Sequence, residues 1–218
     1  MGSEEIAAET QIIAIPLPFQ GHFSPMLQFS NRLASKGFKV TLLYISQTEI
    51  TKSPNNISVN VEFISENIEK NDDFFQKLED TISRELPEIV AKLSNSGYRV
   101  SCVVYDSLLP GVLEIAKKIG IAGAPLFTMS CSVNKICETA YKGKLNVPVE
   151  QTPVLIDGLP PLDIFDLPSF FFDYRTTLEF LRNQFMNISD ADWVFFNTFD
   201  GLENKQSRIG ACIFSWHI

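Results

Sequence analysis

The chain has 218 residues, 45% hydrophobic and 20% charged, a composition that supports a sizeable core and excludes wholesale disorder. Its 18 basic and 26 acidic side chains leave a net charge of −8, which argues against nucleic acid or an anionic membrane surface as partner. The longest apolar runs, Ile12–Pro18 and Val100–Tyr105, fall far short of the roughly 20 residues of a membrane span. Met1–Thr10, expected to be disordered, carries three glutamates where a secretory leader would be basic. A cytoplasmic protein is expected, in which the Asn-Ile-Ser sequons at Asn56 and Asn187 carry no meaning. Four cysteines without C-x-x-C spacing and only two histidines predict reduced, buried thiols and no metal site.

Gln11–Ile15 is the first predicted strand, ended by Pro16 and Pro18. After a turn at Phe19–Phe23, Ser24 before Pro25 reads as a helix cap followed by a first-turn proline. Met26, Phe29 and Leu33 recur at helical spacing, widened by Leu27 and Ala34, and Gly37 closes the helix. Lys39–Ile45 is the second strand, which completes a βαβ unit with an expected right-handed crossover. Val59–Ile64 alternates as a third strand.

Asp72–Asn95 predicts a long helix with Phe75, Leu78, Ile82, Leu86, Ile89, Val90 and Leu93 on one face, kinked or broken at Pro87. Val100–Tyr105 is a nearly continuous apolar strand ending in Asp106, as for a strand buried on both faces. Val112–Ile119 is a short helix closed by Gly120, followed by a strand at Ala124–Phe127 and a helix at Ser132–Tyr141. Gly143–Asp173 holds five of the twelve prolines and reads as an extended surface loop. A helix at Arg175–Ile188 and a strand at Trp193–Phe196 complete the series. Alternating strands and helices, with apolar strands, predict an α/β doubly wound parallel sheet.

Such sheets bind ligands beyond the carboxyl ends of their strands, which directs attention to Phe19–His22, Asp106–Leu109 and Thr128–Ser132. The first turn carries neither G-x-G-x-x-G nor a P-loop; its lone Gly21 permits close approach of backbone to a ligand. His22 is either a general base or a histidine that packs beside a helix. Asp106 is either a turn-forming aspartate or the partner that fixes a histidine's tautomer. A Ser-His-Asp hydrolase lacks its G-x-S-x-G elbow here, and Ser130, Cys131 and Ser132 read as a polar turn opening a helix. Phe170, Phe171 and Phe172 cannot all face one core.

Ile15–Met26 (IPLPFQGHFSPM) resembles the N-terminal motif of the plant UDP-dependent glycosyltransferases of secondary metabolism. The resemblance continues through Val103–Ser107 (VVYDS), Phe127–Asn134 (FTMSCSVN), Gly158–Leu162 (GLPPL) and Asn197–Glu203 (NTFDGLE). It covers about residues 10–204 and looks closest to the subgroup that glucosylates small carboxylic acids and phenols. It implies two Rossmann-like domains facing across a cleft, the GT-B fold. The N-terminal one holds the acceptor, here residues 11–204, and the C-terminal one holds the UDP-sugar co-substrate.

By the same resemblance His22 takes the acceptor's proton and Asp106 steadies it. The acceptor oxygen displaces UDP from glucose in one inverting, metal-free step. Gly21 lies near the diphosphate and sugar, Thr128 touches the sugar, and Phe19 lines the acceptor pocket. Family members are about twice this long, and their donor-binding signature is absent here. Residues 205–218 no longer resemble the family, so a truncated product is expected, with an exposed face and little activity alone. The other reading is a non-catalytic module that binds small molecules or pairs with a partner.

Overall fold

The computed structural model describes residues 10–46, 59–66, 68, 73–95, 97–173, 175–198 and 202. Most of the N-terminal segment expected to be disordered, and the tail 205–218 with Cys212 and His217, lie outside the described residues. The elements are β1 (Thr10–Ile15), α1 (Gln20–Ser35), β2 (Lys39–Ser46), β3 (Asn60–Ser65), α2 (Phe74–Ser94), β4 (Arg99–Asp106), α3 (Gly111–Lys118), β5 (Ala122–Phe127), α4 (Cys131–Tyr141), α5 (Phe170–Asp173), α6 (Arg175–Asn183) and β6 (Phe195–Phe196). The six strands form one parallel sheet in the order β3-β2-β1-β4-β5-β6, the α/β class expected from the alternation. This order reverses direction between β1 and β4, which makes that pair the topological switch point. Among the described residues no helix is long and apolar enough to cross a membrane.

The chain divides into two compact units, residues 1–124 and 125–218. In the first, β1 lies between β2 and β4. Its residues Gln11–Ile15 are all buried, as are Cys102–Asp106 of β4, and apart from Gln11 and Asp106 they are apolar, as for strands covered on both faces. β3 is an edge strand, half-exposed along its length. α1 buries Met26, Ser30 and Leu33, so the fully buried Ser30 takes the central place expected of Phe29. Positions 26, 30 and 33 form one stripe down the helix, and Phe29 falls on its flank.

Gly37 and Gly120 end α1 and α3 with positive φ, 92° and 74°. The next amides, of Phe38 and Ile121, return to the carbonyls of Leu33 and Ala116, the αL stop that glycine makes cheap. Pro87 does not break α2, which runs through it from Phe74 to Ser94. Leu78, Ile82, Leu86 and Leu93 anchor the helix on both sides of the proline. Phe74 rather than Phe75 leads the buried face, and Ile89 and Val90 stay half-exposed at its margin.

In the second unit, Phe127 of β5 pairs with Phe196 of β6, and their rings stack at 4.7 Å. Phe185 stacks on the same Phe127 ring at 5.4 Å. Helix α6 ends at Asn183, five residues before the expected Ile188, and a 3₁₀ turn follows at Ile188–Asp190. The segment expected as loop carries an antiparallel bridge between Val154 and Leu162, an Asp163-capped 3₁₀ turn and α5. Phe171 is buried and Phe172 exposed, the split their adjacency required.

Cys102, Cys131 and Cys137 are buried, as expected. Burial pushes the Cys137 thiol up to about 12, so it stays protonated and inert.

Gly123 of β5 lies close under α3. A Cβ there would meet Leu113 Cδ1 of α3 at 2.5 Å, with Ala116 and Tyr105 also in contact, and Leu113 is itself buried. Gly123→Ala is therefore expected to lower unfolding free energy by about 1–3 kcal/mol through overpacking. Urea denaturation of the two proteins checks this, and equal midpoints would show that Leu113 moves aside at no cost.

Candidate functional site

The parallel pairing of β1 with β4 sets Ile15 beside Tyr105, so both strands deliver their chains to the same end of the sheet. Asp106 is the last residue of β4 and is fully buried. From β1 the chain runs through the buried Leu17 to Phe19, whose extended backbone (φ −123°, ψ 141°) stops short of helix. The Phe19 carbonyl accepts from the amides of His22 (2.9 Å) and Phe23 (2.8 Å), and that closes the first turn of α1.

The helix thus starts at Gln20, four residues before the Ser24 cap read from the sequence. Backbone geometry at Phe19 makes the start, not a side-chain cap, and Pro25 sits within the helix. His22 is consequently the third residue of a helix instead of part of a turn, and its ring direction is set by that helix.

His22 Nδ1 lies 2.7 Å from Asp106 Oδ2, across 84 residues of sequence. A carboxylate only accepts hydrogen bonds, so Nδ1 carries the hydrogen and Nε2 carries the lone pair. Asp106 Oδ1 accepts from the amide of Leu108 (3.1 Å), and its carbonyl accepts from that of Leu109 (2.8 Å). The aspartate therefore shapes the turn after β4 with one oxygen and meets the imidazole with the other. Its side chain is fully buried, whereas the histidine's is 21% exposed. Of the pair, only the histidine reaches solvent.

Phe19 packs edge-on to His22 with ring centroids 6.2 Å apart, and against the buried Phe74 of α2 at 5.4 Å. Gly21 is exposed, and a Cβ there would meet nothing within 4 Å. Its φ is outside the positive range, so neither the backbone nor its neighbours among the described residues demand glycine. The structure thus brings Phe19, Gly21, His22 and Asp106 to the switch point within the first unit. Thr128 belongs to the second unit, half-buried directly after β5. Ser130 caps α4 by accepting from the Val133 amide (3.3 Å), and the adjacent Cys131 is buried, which fits the helix-opening turn read from the sequence. Among the described residues no group of three or more metal-ligating side chains comes together.

No protein-family model matches the chain. It is 37% identical over 211 residues to UDP-glucosyltransferase 74AE2 of Panax ginseng, covering 92% of this chain and 47% of that protein. To mogroside I-E synthase of Siraitia grosvenorii it is 39% identical over 210 residues, covering 92% and 45%. Its fold superposes on the crystal structure of Os79 from O. sativa bound to UDP with a TM-score of 0.79 at 28% identity, over 90% of this chain and 48% of that one. The chain is related to the plant UDP-glucosyltransferases. It corresponds to their N-terminal half and spans about half the length of the curated relatives it matches.

One residue of the first unit escaped the sequence reading. Glu79 of α2 accepts from the amide of Gly111 (2.8 Å), the first residue of α3. Helix α3 opens on Pro110 with no capping side chain of its own. The signal available in the sequence was thus a helix start whose cap position, Pro110, carries no side-chain acceptor.

Burial holds the Glu79 carboxyl above its ordinary 4.5, with Asp80 and Glu114 adding to the rise and the Gly111 amide opposing it. The folded chain accordingly keeps this proton to higher pH than the unfolded chain. The stability so gained is complete below the unfolded value and is lost as pH rises through the folded one. Glu79→Gln keeps an oxygen for Gly111 and is expected to flatten stability in that window. Urea midpoints from about pH 4 to about pH 7 test it, and a slope unchanged by the substitution would assign the dependence to other groups.

Proposed function

We propose that this chain is the acceptor-holding half of a cytosolic, inverting UDP-glycosyltransferase, with His22 as general base and Asp106 as its orienting partner. The observation that carries the reading is the 2.7 Å contact between Nδ1 and the buried carboxylate, which leaves Nε2 as the proton-accepting end. Nε2 takes the hydrogen of the acceptor hydroxyl as its oxygen bonds to the anomeric carbon of the sugar. The bond from that carbon to the UDP oxygen breaks on the opposite face, and UDP departs with the electron pair. Asp106 stabilises the imidazolium that results. Gly21, exposed and unfilled in the first turn of α1, admits the diphosphate and sugar close to the backbone, and the helix's N-terminus favours their negative charge. Phe19, half-exposed beside the imidazole, lines the acceptor pocket, and Thr128 contacts the sugar.

Glucose is the proposed sugar, after the names of the relatives, and a small phenol or carboxylic acid the proposed acceptor. A carboxylic acid is already ionised near neutrality and needs no base, whereas a hydroxyl does. In a protein joining this chain to the donor-binding half of a relative, His22→Ala should slow transfer to a hydroxyl acceptor by about 10²–10⁴-fold. Transfer to a carboxylate acceptor should fall far less, and acceptor binding should persist. Equal losses with both acceptors would remove proton abstraction from the role of His22.

The 218-residue polypeptide made alone is expected to bind a phenolic acid, by titration calorimetry, without consuming UDP-glucose. Consumption at a rate matching a full-length relative would overturn that expectation.

A further inference from the structure

We propose that Glu79 is a positioning residue for the His22–Asp106 pair: reaching from α2 to the amide that opens α3, it fixes the turn that aims Asp106. The segment after β4 ties its own amides in succession. Leu108 donates to Asp106 Oδ1, Leu109 to the Asp106 carbonyl and Val112 to the Leu109 carbonyl. Gly111 donates to Glu79 Oε1, and of these four bonds only that one leaves the segment for another element. It thus anchors the turn to α2. The Gly111 amide is one of the orphan donors of a helix start, and Pro110 before it supplies no side-chain acceptor.

The same helix supports the other partner. Phe74, five residues earlier and so about 7.5 Å back along the α2 axis, packs on Phe19, which packs on His22. Helix α2 therefore reaches the imidazole through two rings and the segment that follows Asp106 through one hydrogen bond. Glu79 is half-buried with Asp80 and Glu114 as like-charged neighbours, a costly place for a glutamate that merely solvates a surface. Gly111 also fits the arrangement, since a Cβ there would stand 2.9 Å from the Glu79 carboxyl carbon and both its oxygens.

This inference rests on the reading of His22 as a base steadied by Asp106. Its test, however, reads the hydrogen bond within the pair and not sugar transfer, so each can fail without the other. In the 218-residue chain, the Nδ1 proton of His22 is identified by NMR as the downfield imidazole resonance lost in His22→Ala. Glu79→Ala is expected to speed its exchange with solvent about fivefold, the effect of one lost hydrogen bond, while Glu79→Gln stays near the parent rate. Gly111→Ala, which pushes the carboxylate away without emptying its site, should act like Glu79→Ala and serves in its place if that variant does not fold. An exchange rate unchanged in a folded Glu79→Ala or Gly111→Ala chain overturns the proposal. So does acceleration that only matches a loss of global stability measured by urea.

Discussion

Two strands separated by more than eighty residues of sequence lie side by side, and the site exists because they are parallel. Antiparallel pairing would send the chain after β1 and the chain after β4 to opposite ends of the sheet. In register, Ile15 beside Tyr105 leaves Asp106 as the next residue on one side and the Pro16–Phe19 turn on the other. The strand order also places this pair where the sheet reverses its winding. In open α/β sheets ligands bind beyond the carboxyl ends of the strands at such a point. Burial of Gln11–Ile15 and of Cys102–Asp106 holds the register, because slipping either strand by one residue would set a different group of side chains at the sheet's end.

The strands were legible in the sequence because a strand covered on both faces must be apolar throughout, and Ile12–Ile15 and Val100–Tyr105 have no other use for so many branched side chains. Helix stops were legible for a comparable reason: Gly37 and Gly120 adopt a backbone conformation that other residues take at a cost. Helix starts were not. Ser24-Pro25 carries the chemistry of a cap, yet α1 begins at Gln20 because the extended Phe19 turns its carbonyl toward the amides of His22 and Phe23. That is a backbone event, fixed by burial of Leu17 before it, and no side chain announces it. The consequence reaches the site, since a histidine inside a helical turn has a direction that a histidine in an irregular turn lacks.

Pro87 and Glu79 show the same limit from the side of tertiary structure. A proline in mid-helix argues locally for a break, but four buried side chains before and after it hold α2 as one element. That continuity lets Phe74 and Glu79 ride on one rigid body. Glu79 looks like any solvated glutamate on the polar side of an amphipathic helix. Its partner is an amide thirty-two residues away, so only the folded chain reveals the contact.

The unequal burial of the pair bears on what it is for. A buried carboxylate is expensive, and a buried ion pair returns little net stability even when its geometry is good. Asp106 offsets that cost by accepting from a backbone amide and from the imidazole, in an arrangement that an apolar residue of similar size would spare the fold altogether. What the arrangement supplies is direction. The carboxylate is fixed by a turn within its own segment, the imidazole by the first turn of a helix, and the two meet across a parallel strand pair with one nitrogen committed. A base held in this way needs no reorganisation when a proton reaches it, which is the condition under which electrostatic stabilisation contributes most to a rate. In the proposed role the pair is also insufficient by itself, since a base on the acceptor side lowers the barrier only when a leaving group is held in line on the other side of the reacting carbon.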